Sequence, residues 1–177
     1  RPTFFGVTAT RLPAMPMAVN MSARQLTRRT LLADIARILE QTGLPPEFLE
    51  LEITESSLME RIDETAVTLC QLRDMGIHLT ADDFGTGYSS LNYLRSFPLD
   101  SIKIDQSFVS DIGVASDESG AEGLVSAVTG IGQSLDLKVI AEGVENHQQL
   151  AFLRQQWCDQ IQGFLFSRPV PADDFAT

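Results

Sequence analysis

The segment from Ala81 to Ser90 reads ADDFGTGYSS and places two adjacent carboxylates, Asp82 and Asp83, just before two glycines. A short apolar run beginning at Gly76 precedes it with strand spacing, so both carboxylates are expected where a strand ends. Two neighbouring carboxylates resist being ionised together, and a divalent cation bound by their oxygens removes that cost. Taken alone, the segment fits a metal site and a solvated turn capping the next helix equally well.

Further polar residues lie at or near the ends of five other strand-like runs. They are Asn20, Glu52, Lys103 with Asp105, Glu142 and Gln162. The candidate ligands offer only oxygen, which favours Mg²⁺ or Mn²⁺ over zinc. Asp82 and Asp83 are placed to bridge two ions about 3.5–4 Å apart, the spacing used for in-line phosphoryl displacement. Lys103 would then orient the attacking water; the alternative is a plain salt bridge to Asp105 or Glu142.

Six strand-like runs alternate with helical patterns. The predicted strands are Met15–Asn20, Phe48–Thr54, Ile77–Asp82, Ser101–Asp105, Leu137–Glu142 and Gln160–Phe166. The predicted helices cover residues 31–42, 57–72, 89–95, 108–112, 124–135 and 146–156. The second of them starts at a capping box and is expected to point Val67 toward the core. A surface loop is predicted at 113–120. This alternation predicts an α/β fold with a parallel sheet, whose strands we expect to be apolar on both faces.

The position of the polar residues favours a β/α barrel. In such a barrel the carboxyl ends of all strands converge on one face, where the active site lies. An open doubly wound sheet is the alternative, but it calls for a glycine-rich phosphate loop after an early strand, and the sequence has none. A kinase interpretation of Asp83-Phe84-Gly85 fails because the other kinase motifs are missing.

Composition limits the function classes. The 177 residues carry 13 Lys+Arg and 24 Asp+Glu, a formal charge of −11, which argues against nucleic-acid polymers but permits a small anionic ligand beside metal ions. Cys70 and Cys158 are too few for a disulfide framework, and Cys70 is predicted on a buried helix stripe. His78 and His147 are expected to be structural. No apolar run approaches the roughly 20 residues that span a bilayer, so we expect a cytoplasmic domain without membrane contact, alone or within a larger membrane-anchored protein.

Six motifs, taken in order, resemble the EAL-domain cyclic-di-GMP phosphodiesterases. They are VNMS at 19–22, ELEITES at 50–56, DDFGTGYSS at 82–90, KID at 103–105, AEGVE at 141–145 and QGF at 162–164. The resemblance implies a TIM-like (β/α) barrel that cleaves one phosphodiester bond of cyclic-di-GMP to give linear pGpG, using two Mg²⁺ or Mn²⁺ ions in a complete site. It also implies a homodimer and a neighbouring GGDEF or sensory domain.

The resemblance further implies roles for individual side chains. The matched metal ligands are Asn20, Glu52, Asp82 and Asp83. The matched catalytic residues are Lys103, which positions the water, Glu142, Asp83, and Glu55, which anchors a mobile loop over the metals. The matched site-lining residues are Gln162, Asp105 and the loop residues Gly85, Thr86 and Gly87.

One departure bears on activity. The Glu-x-Leu signature of the family lies well upstream of the asparagine motif, and none of the nineteen residues before Asn20 reads Glu-x-Leu. We therefore expect residues 1–177 to be the C-terminal two-thirds to three-quarters of one EAL domain, with no second domain and an open barrel edge that invites dimerisation. An inactive module that binds cyclic-di-GMP or a protein partner stays open beside the hydrolase. An unrelated metal-dependent barrel hydrolase is a third possibility if the motif matches are coincidental.

Overall fold

A computed structural model describes residues 15–87, 94–113, 120–171 and 174. Its strands are β1 (Met17–Met21), β2 (Leu49–Thr54), β3 (His78–Phe84), β4 (Ser101–Ile104), β5 (Lys138–Ala141) and β6 (Gln160–Ile161). Its α-helices are α1 (Ala23–Leu26), α2 (Leu31–Thr42), α3 (Glu55–Met59), α4 (Ile62–Asp74), α5 (Gln106–Ser110), α6 (Ala121–Ser134) and α7 (His147–Gln155), and a 3₁₀ turn (Pro46–Phe48) precedes β2.

The six strands form one sheet in which every neighbouring pair is parallel and the spatial order follows the chain from β1 to β6. Parallel strands in chain order, separated by helices, are the arrangement of a β/α barrel, so the predicted α/β class is confirmed. All six predicted strands are present within two residues at each end, except that β6 stops early.

β6 ends at Ile161 because the chain then turns toward the residues that follow β5. The Gln162 carbonyl accepts from the Val144 N–H (3.0 Å), and the Leu165 N–H donates to the Val144 carbonyl (2.9 Å). A Cβ at Gly163 would collide with the Val144 backbone, so only glycine permits this approach. The prediction of a strand continuing to Phe166 was therefore wrong.

The strands β2, β3 and β4 are apolar on one face and polar on the other, which corrects the expectation of two apolar faces. The apolar face packs with the helices in a single core that includes Leu51, Ile53, Leu79, Ile102, Ile104 and Val139. Alternating with these are Glu50, Glu52, Thr80, Asp82, Ser101 and Lys103. Because successive strand residues point to opposite faces, these polar side chains share the inner face of the sheet. Thr80 joins them by hydrogen bonds of 2.5 Å to both Glu50 and Ser101.

The helix predicted from residue 57 is in fact two helices. The hydroxyl of Thr54, at the end of β2, accepts from the Ser57 N–H (3.4 Å) and caps α3, so the helix begins before the expected capping box. The separate start of α4 gives that helix a different phase. Its buried residues are Thr65, Leu69 and Leu72. Val67 and Cys70, predicted to face the core, are therefore exposed.

The other helix predictions agree more closely. Gly43, at a φ of 69°, ends α2 as predicted, and the Asn146 side chain caps α7 by accepting from the Gln149 N–H (2.9 Å). Helices α5 and α6 begin two and three residues earlier than predicted. The predicted helix at 89–95 and the loop at 113–120 lie largely outside the described residues. None of the described helices is long and apolar enough to cross a membrane.

Over the described part of the chain the sheet is open at both ends. β1 pairs only with β2, and β6 pairs only with β5. Met17 and Val19 of β1 are 51% and 43% exposed. Both line an apolar groove of about 560 Å³ between β1 and α2. β1 is therefore an edge strand whose outer face is only partly covered.

Candidate metal centre

Lys103 of β4 lies at the centre of a group of carboxylates on the inner face of the sheet. Its buried Nζ is 2.5 Å from Oε1 of Glu142, 2.8 Å from Oε1 of Glu52 and 3.5 Å from Oδ1 of Asp82. Glu52 lies in β2, Asp82 in β3, and Glu142 directly follows β5. The structure thus brings together four predicted site residues from four neighbouring strands. Of the two salt-bridge partners considered for Lys103, Glu142 is one, whereas the other contacts are to Glu52 and Asp82 and not to Asp105.

Asp83 adds a fourth carboxylate to this group. Carboxylate oxygens of Asp82, Asp83 and Glu142 all lie within 4.8 Å of one another. One lysine therefore faces four carboxylates, and negative charge is in excess. Clustered carboxylate oxygens are the donors that hard divalent cations prefer, so both the donor chemistry and the charge fit a cation here.

The pKa shifts follow from this crowding. Burial alone would lower the pKa of Lys103, but its hydrogen bonds to Glu142 and Glu52 outweigh burial and raise it, so the ammonium stays charged. Burial raises the pKa of Glu142 against the opposing effect of Lys103. Burial, followed by the nearby charges of Asp82 and Asp105, raises the pKa of Asp83. Burial thus disfavours the charged forms of Glu142 and Asp83 in spite of the nearby Lys103.

A β-bulge explains how two consecutive aspartates reach the same site. The register between β3 and β4 shifts between Ala81 and Phe84. Asp83 within this interval has a φ of 53°, in the left-handed region that few non-glycine residues adopt. Adjacent strand residues normally point to opposite faces, and a bulge re-aims one of them. The Thr86 hydroxyl supports the turn by donating to the Asp83 carbonyl (2.8 Å).

Glu55 of α3 contacts the loop that follows β3. Its Oε2 accepts from the Gly85 N–H at 2.9 Å. Its Oε1 is buried and has no hydrogen-bond partner among the described residues. A Cβ at Gly87 would lie 2.6 Å from that oxygen, so a larger residue there would displace the Glu55 carboxylate. Tyr88, Ser89 and Ser90, also predicted for this loop, lie outside the described residues.

The remaining predicted site residues surround the carboxylates. Asn20 of β1 pairs in register with Glu52, so its side chain projects from the same inner face. Gln162 lines a cavity of about 640 Å³ together with Glu52 and Lys103. Asp105 caps α5 by accepting from the Ser107 N–H (2.9 Å), and its nearby charge contributes to the raised pKa of Asp83.

Neither histidine belongs to the carboxylate cluster found among the described residues. His78 has a half-exposed side chain, rather than one turned into its strand, with Nδ1 3.6 Å from Oδ2 of Asp100. His147 is the first residue of α7. The structure also adds a residue that the sequence did not single out, Phe108 of α5, whose ring contacts the position of Gly85. Its spacing of three residues from Asp105 was the available signal, since residues i and i+3 share a helix face.

The fold and this centre define an α/β protein of TIM-like architecture with a carboxylate-rich site at the carboxyl ends of its strands. The family model of the EAL domain matches residues 6–169. The chain belongs to the EAL domain family, as the sequence motifs predicted.

Individual relatives agree with this assignment. The chain is 50% identical over 155 residues to cyclic di-GMP phosphodiesterase NbdA of Pseudomonas aeruginosa, a match that covers 88% of this chain and 19% of NbdA. The PaMucR phosphodiesterase in its c-di-GMP complex superposes with a TM-score of 0.86 at 41% identity, covering 90% of this chain and 64% of that one. The manganese/cy-diGMP complex of Klebsiella pneumoniae BlrP1 superposes with a TM-score of 0.77 at 32% identity, covering 87% of this chain and 39% of that one. The chain spans less than two thirds of each relative.

Proposed function

We propose that the domain to which this chain belongs hydrolyses one phosphodiester bond of cyclic-di-GMP to linear pGpG with two Mg²⁺ or Mn²⁺ ions. The observation that carries the proposal is the buried Lys103 among Glu52, Asp82, Asp83 and Glu142 at the carboxyl ends of the strands. The names of NbdA and of the PaMucR and BlrP1 complexes support the substrate and the use of a divalent metal.

Each residue of the centre has a proposed part in the reaction. The oxygens that would hold the cations are those of Asn20, Glu52, Asp82, Asp83 and Glu142. Divalent cations bound there supply Lewis-acid polarisation of the phosphoryl group and acidify a bound water. Lys103 keeps its charge, so it orients the attacking water and offsets the negative charge that develops on phosphorus. Glu142, 2.5 Å from Lys103, is placed to contact the same water.

The surrounding residues are proposed to position the substrate. Gln162 borders the same cavity as Lys103 and offers an amide for hydrogen bonds. Asp105 supports Asp83 from the start of α5. The segment from Gly85 to Gly87, held by Glu55, covers the end of β3 where the phosphodiester would lie.

The extent of the domain is also a proposal. We infer that residues 1–177 form the C-terminal two-thirds to three-quarters of one EAL domain. The unpaired edge of β1 and the exposed side chains of Met17 and Val19 support this, because further strands and a helix of the same domain would cover both. A second copy pairing at that edge would produce the expected homodimer. A neighbouring GGDEF or sensory domain and a cytoplasmic location stay predictions.

Hydrolysis of cyclic-di-GMP in the presence of Mn²⁺ or Mg²⁺, followed by chromatography of the product, tests the proposal. We expect linear pGpG from the complete domain and none from its Asp82→Asn or Lys103→Ala variants. Asp34→Asn, an exposed aspartate on α2, is the matched control and should keep full activity. Tight nucleotide binding without turnover would contradict hydrolysis and favour the alternative of a non-catalytic binding module.

A further inference from the structure

We propose that Phe108 is a positioning residue for this centre: its ring is the wall that keeps the loop after β3 against Glu55 and thereby holds Asp83 in place. The inference rests on the proposed function, because it assigns Asp83 to cation binding. It concerns a side chain that lies one helical turn beyond the carboxylates and that none of the sequence motifs singled out.

Gly85 is held from two sides. On one side its N–H donates to Oε2 of Glu55 at 2.9 Å. On the other side a Cβ at Gly85 would lie 3.1 Å from Cε2 of Phe108 and 3.7 Å from Cδ2 of Leu124. Gly85 is therefore hydrogen-bonded through its N–H and closely packed where a Cβ would project. The φ of 99° at Gly85 and the Phe108 ring both exclude a side chain at this position.

Helix α5 contacts the loop at two points. Asp105, its N-cap, lies close enough to Asp83 to raise the pKa of that carboxyl, and Phe108 three residues later lies beside Gly85. Residues at i and i+3 lie on the same face of a helix, so one face of α5 supports both positions. Phe108 and Leu124 of α6 both lie beside Gly85 and both pack against the hydrophobic core, so the core supports the ring independently of the loop.

Asp83 needs such support because its backbone is strained. A non-glycine residue at a φ of 53° persists only where its surroundings hold it in that conformation. The two restraints on Gly85 act only two residues away along the chain. Without the Phe108 ring, Gly85 gains room to leave Glu55, and Asp83 is free to relax toward an ordinary conformation that points its carboxylate elsewhere.

The neighbouring residue Val109 separates this role from ordinary core packing. Val109 is fully buried, whereas Phe108 is only partly buried against the core. Val109→Ala therefore removes core contacts from the same helix without removing the wall beside Gly85. Phe108→Leu keeps most of the apolar bulk of the wall, and Phe108→Ala removes it.

The test measures Mn²⁺ affinity by calorimetry and amide hydrogen exchange at Gly85 in the 177-residue chain. We expect Phe108→Ala to weaken Mn²⁺ binding roughly 10- to 100-fold, the range seen when a group that orients metal ligands is removed. Exchange at Gly85 should accelerate in the same variant. Phe108→Leu should recover most of both properties. Val109→Ala should lower the melting temperature while changing Mn²⁺ affinity less than about threefold.

The outcomes distinguish this inference from the proposed hydrolysis. Unchanged Mn²⁺ affinity in Phe108→Ala, or equal losses in Phe108→Ala and Val109→Ala, would overturn the positioning role whether or not the wild type hydrolyses cyclic-di-GMP. A complete domain that binds Mn²⁺ but produces no pGpG would contradict only the hydrolysis. A wild-type chain that binds no Mn²⁺ would overturn both.

Discussion

Aspartates lie at both the carboxyl and the amino ends of the strands, but the groups that contact their carboxylates differ between the two ends. At the amino end, Asp100 and Asp159 each exchange two hydrogen bonds with the preceding strand: their carboxylates accept from the N–H groups of Leu79 (2.9 Å) and Val139 (2.8 Å). Their own N–H groups donate back to the same two residues. At the carboxyl end, Glu52, Asp82 and Glu142 share Lys103, and Asp83 lies beside two of them.

This difference distinguishes carboxylates that stabilise the fold from carboxylates that are available to bind a cation. A carboxylate that accepts backbone hydrogen bonds has compensation for its desolvation, whereas crowded carboxylates have too little. In β/α barrels the carboxyl end of the strands carries function and the amino end carries stability. Removing the charge of one carboxylate should therefore lower the free energy of unfolding at the amino end but not at the carboxyl end.

The largest effect is expected from Lys103→Met. Removing the one cation leaves its buried carboxylate partners unpaired, and breaking a buried ion pair costs about 3–5 kcal/mol. Urea unfolding followed by circular dichroism measures the loss, and added Mn²⁺ should recover part of it. A loss below about 1 kcal/mol would mean that the carboxylates are already compensated without Lys103.

Asp100→Ala, at the amino end, should lower the free energy of unfolding by about 1–3 kcal/mol, the usual contribution of hydrogen bonds to a charged group. The same variant should bind Mn²⁺ like the wild type, because Asp100 lies at the opposite end of the sheet. Urea unfolding and Mn²⁺ calorimetry check the two statements. A weakened Mn²⁺ affinity would contradict the claim that the amino ends of the strands contribute to stability and not to metal binding.

Glu142→Gln should have a smaller effect of the opposite sign. The substitution removes one of the crowded charges while Lys103 keeps Glu52 at 2.8 Å. Without added divalent cations, the variant should be as stable as the wild type or more stable by about 0–1 kcal/mol, the scale of partly exposed charge pairs. Its Mn²⁺ affinity should fall. A clear loss of stability would show that Glu142 is a structural ion-pair partner and not a crowded ligand.

The alternation of strand and helix patterns predicted a parallel sheet. Because the carboxyl ends of parallel strands lie side by side, it also predicted that Glu52, Asp82, Lys103 and Glu142 would lie close together. Asp83 was expected in the site only because it is adjacent to Asp82. The β-bulge that turns its side chain into the site depends on the register between two strands and not on local propensity. The contact between Phe108 and Gly85 is likewise a matter of tertiary packing.

Two errors in the predicted elements have similar causes. Thr54 caps α3 from the end of a strand, which displaced the expected helix start and changed the phase of α4. β6 stopped early because Gly163 meets the backbone of Val144, a contact distant in sequence. Sequence periodicity predicts which residues of a helix or strand face the core, but it does not predict the tertiary contacts that set where the element begins or ends.

The smallest effect concerns the thiol beside Asp159. Burial raises the pKa of Cys158 to about 11, and its Sγ donates to the carbonyls of Val139 (3.3 Å) and Gln160 (3.2 Å). A raised pKa lowers the thiolate fraction, so at pH 8 Cys158 should alkylate about 100-fold more slowly than in the urea-unfolded chain.

Alkylation of Cys158 should speed up as the pH rises toward 11. The exposed Cys70 should react readily at pH 8. Peptide mass mapping after timed alkylation separates the two thiols. Equal rates for Cys158 in folded and unfolded chains would show that the amino end of β6 is open to solvent.

Mn²⁺ titration of the wild type, Asp82→Ala and Asp159→Ala by calorimetry tests the central claim most directly. The crowded carboxylates predict saturable Mn²⁺ binding by the wild type and by Asp159→Ala, and its loss in Asp82→Ala. Binding that survives in Asp82→Ala, or no binding by the wild type, would contradict the assignment of the carboxyl ends of the strands as a divalent metal centre.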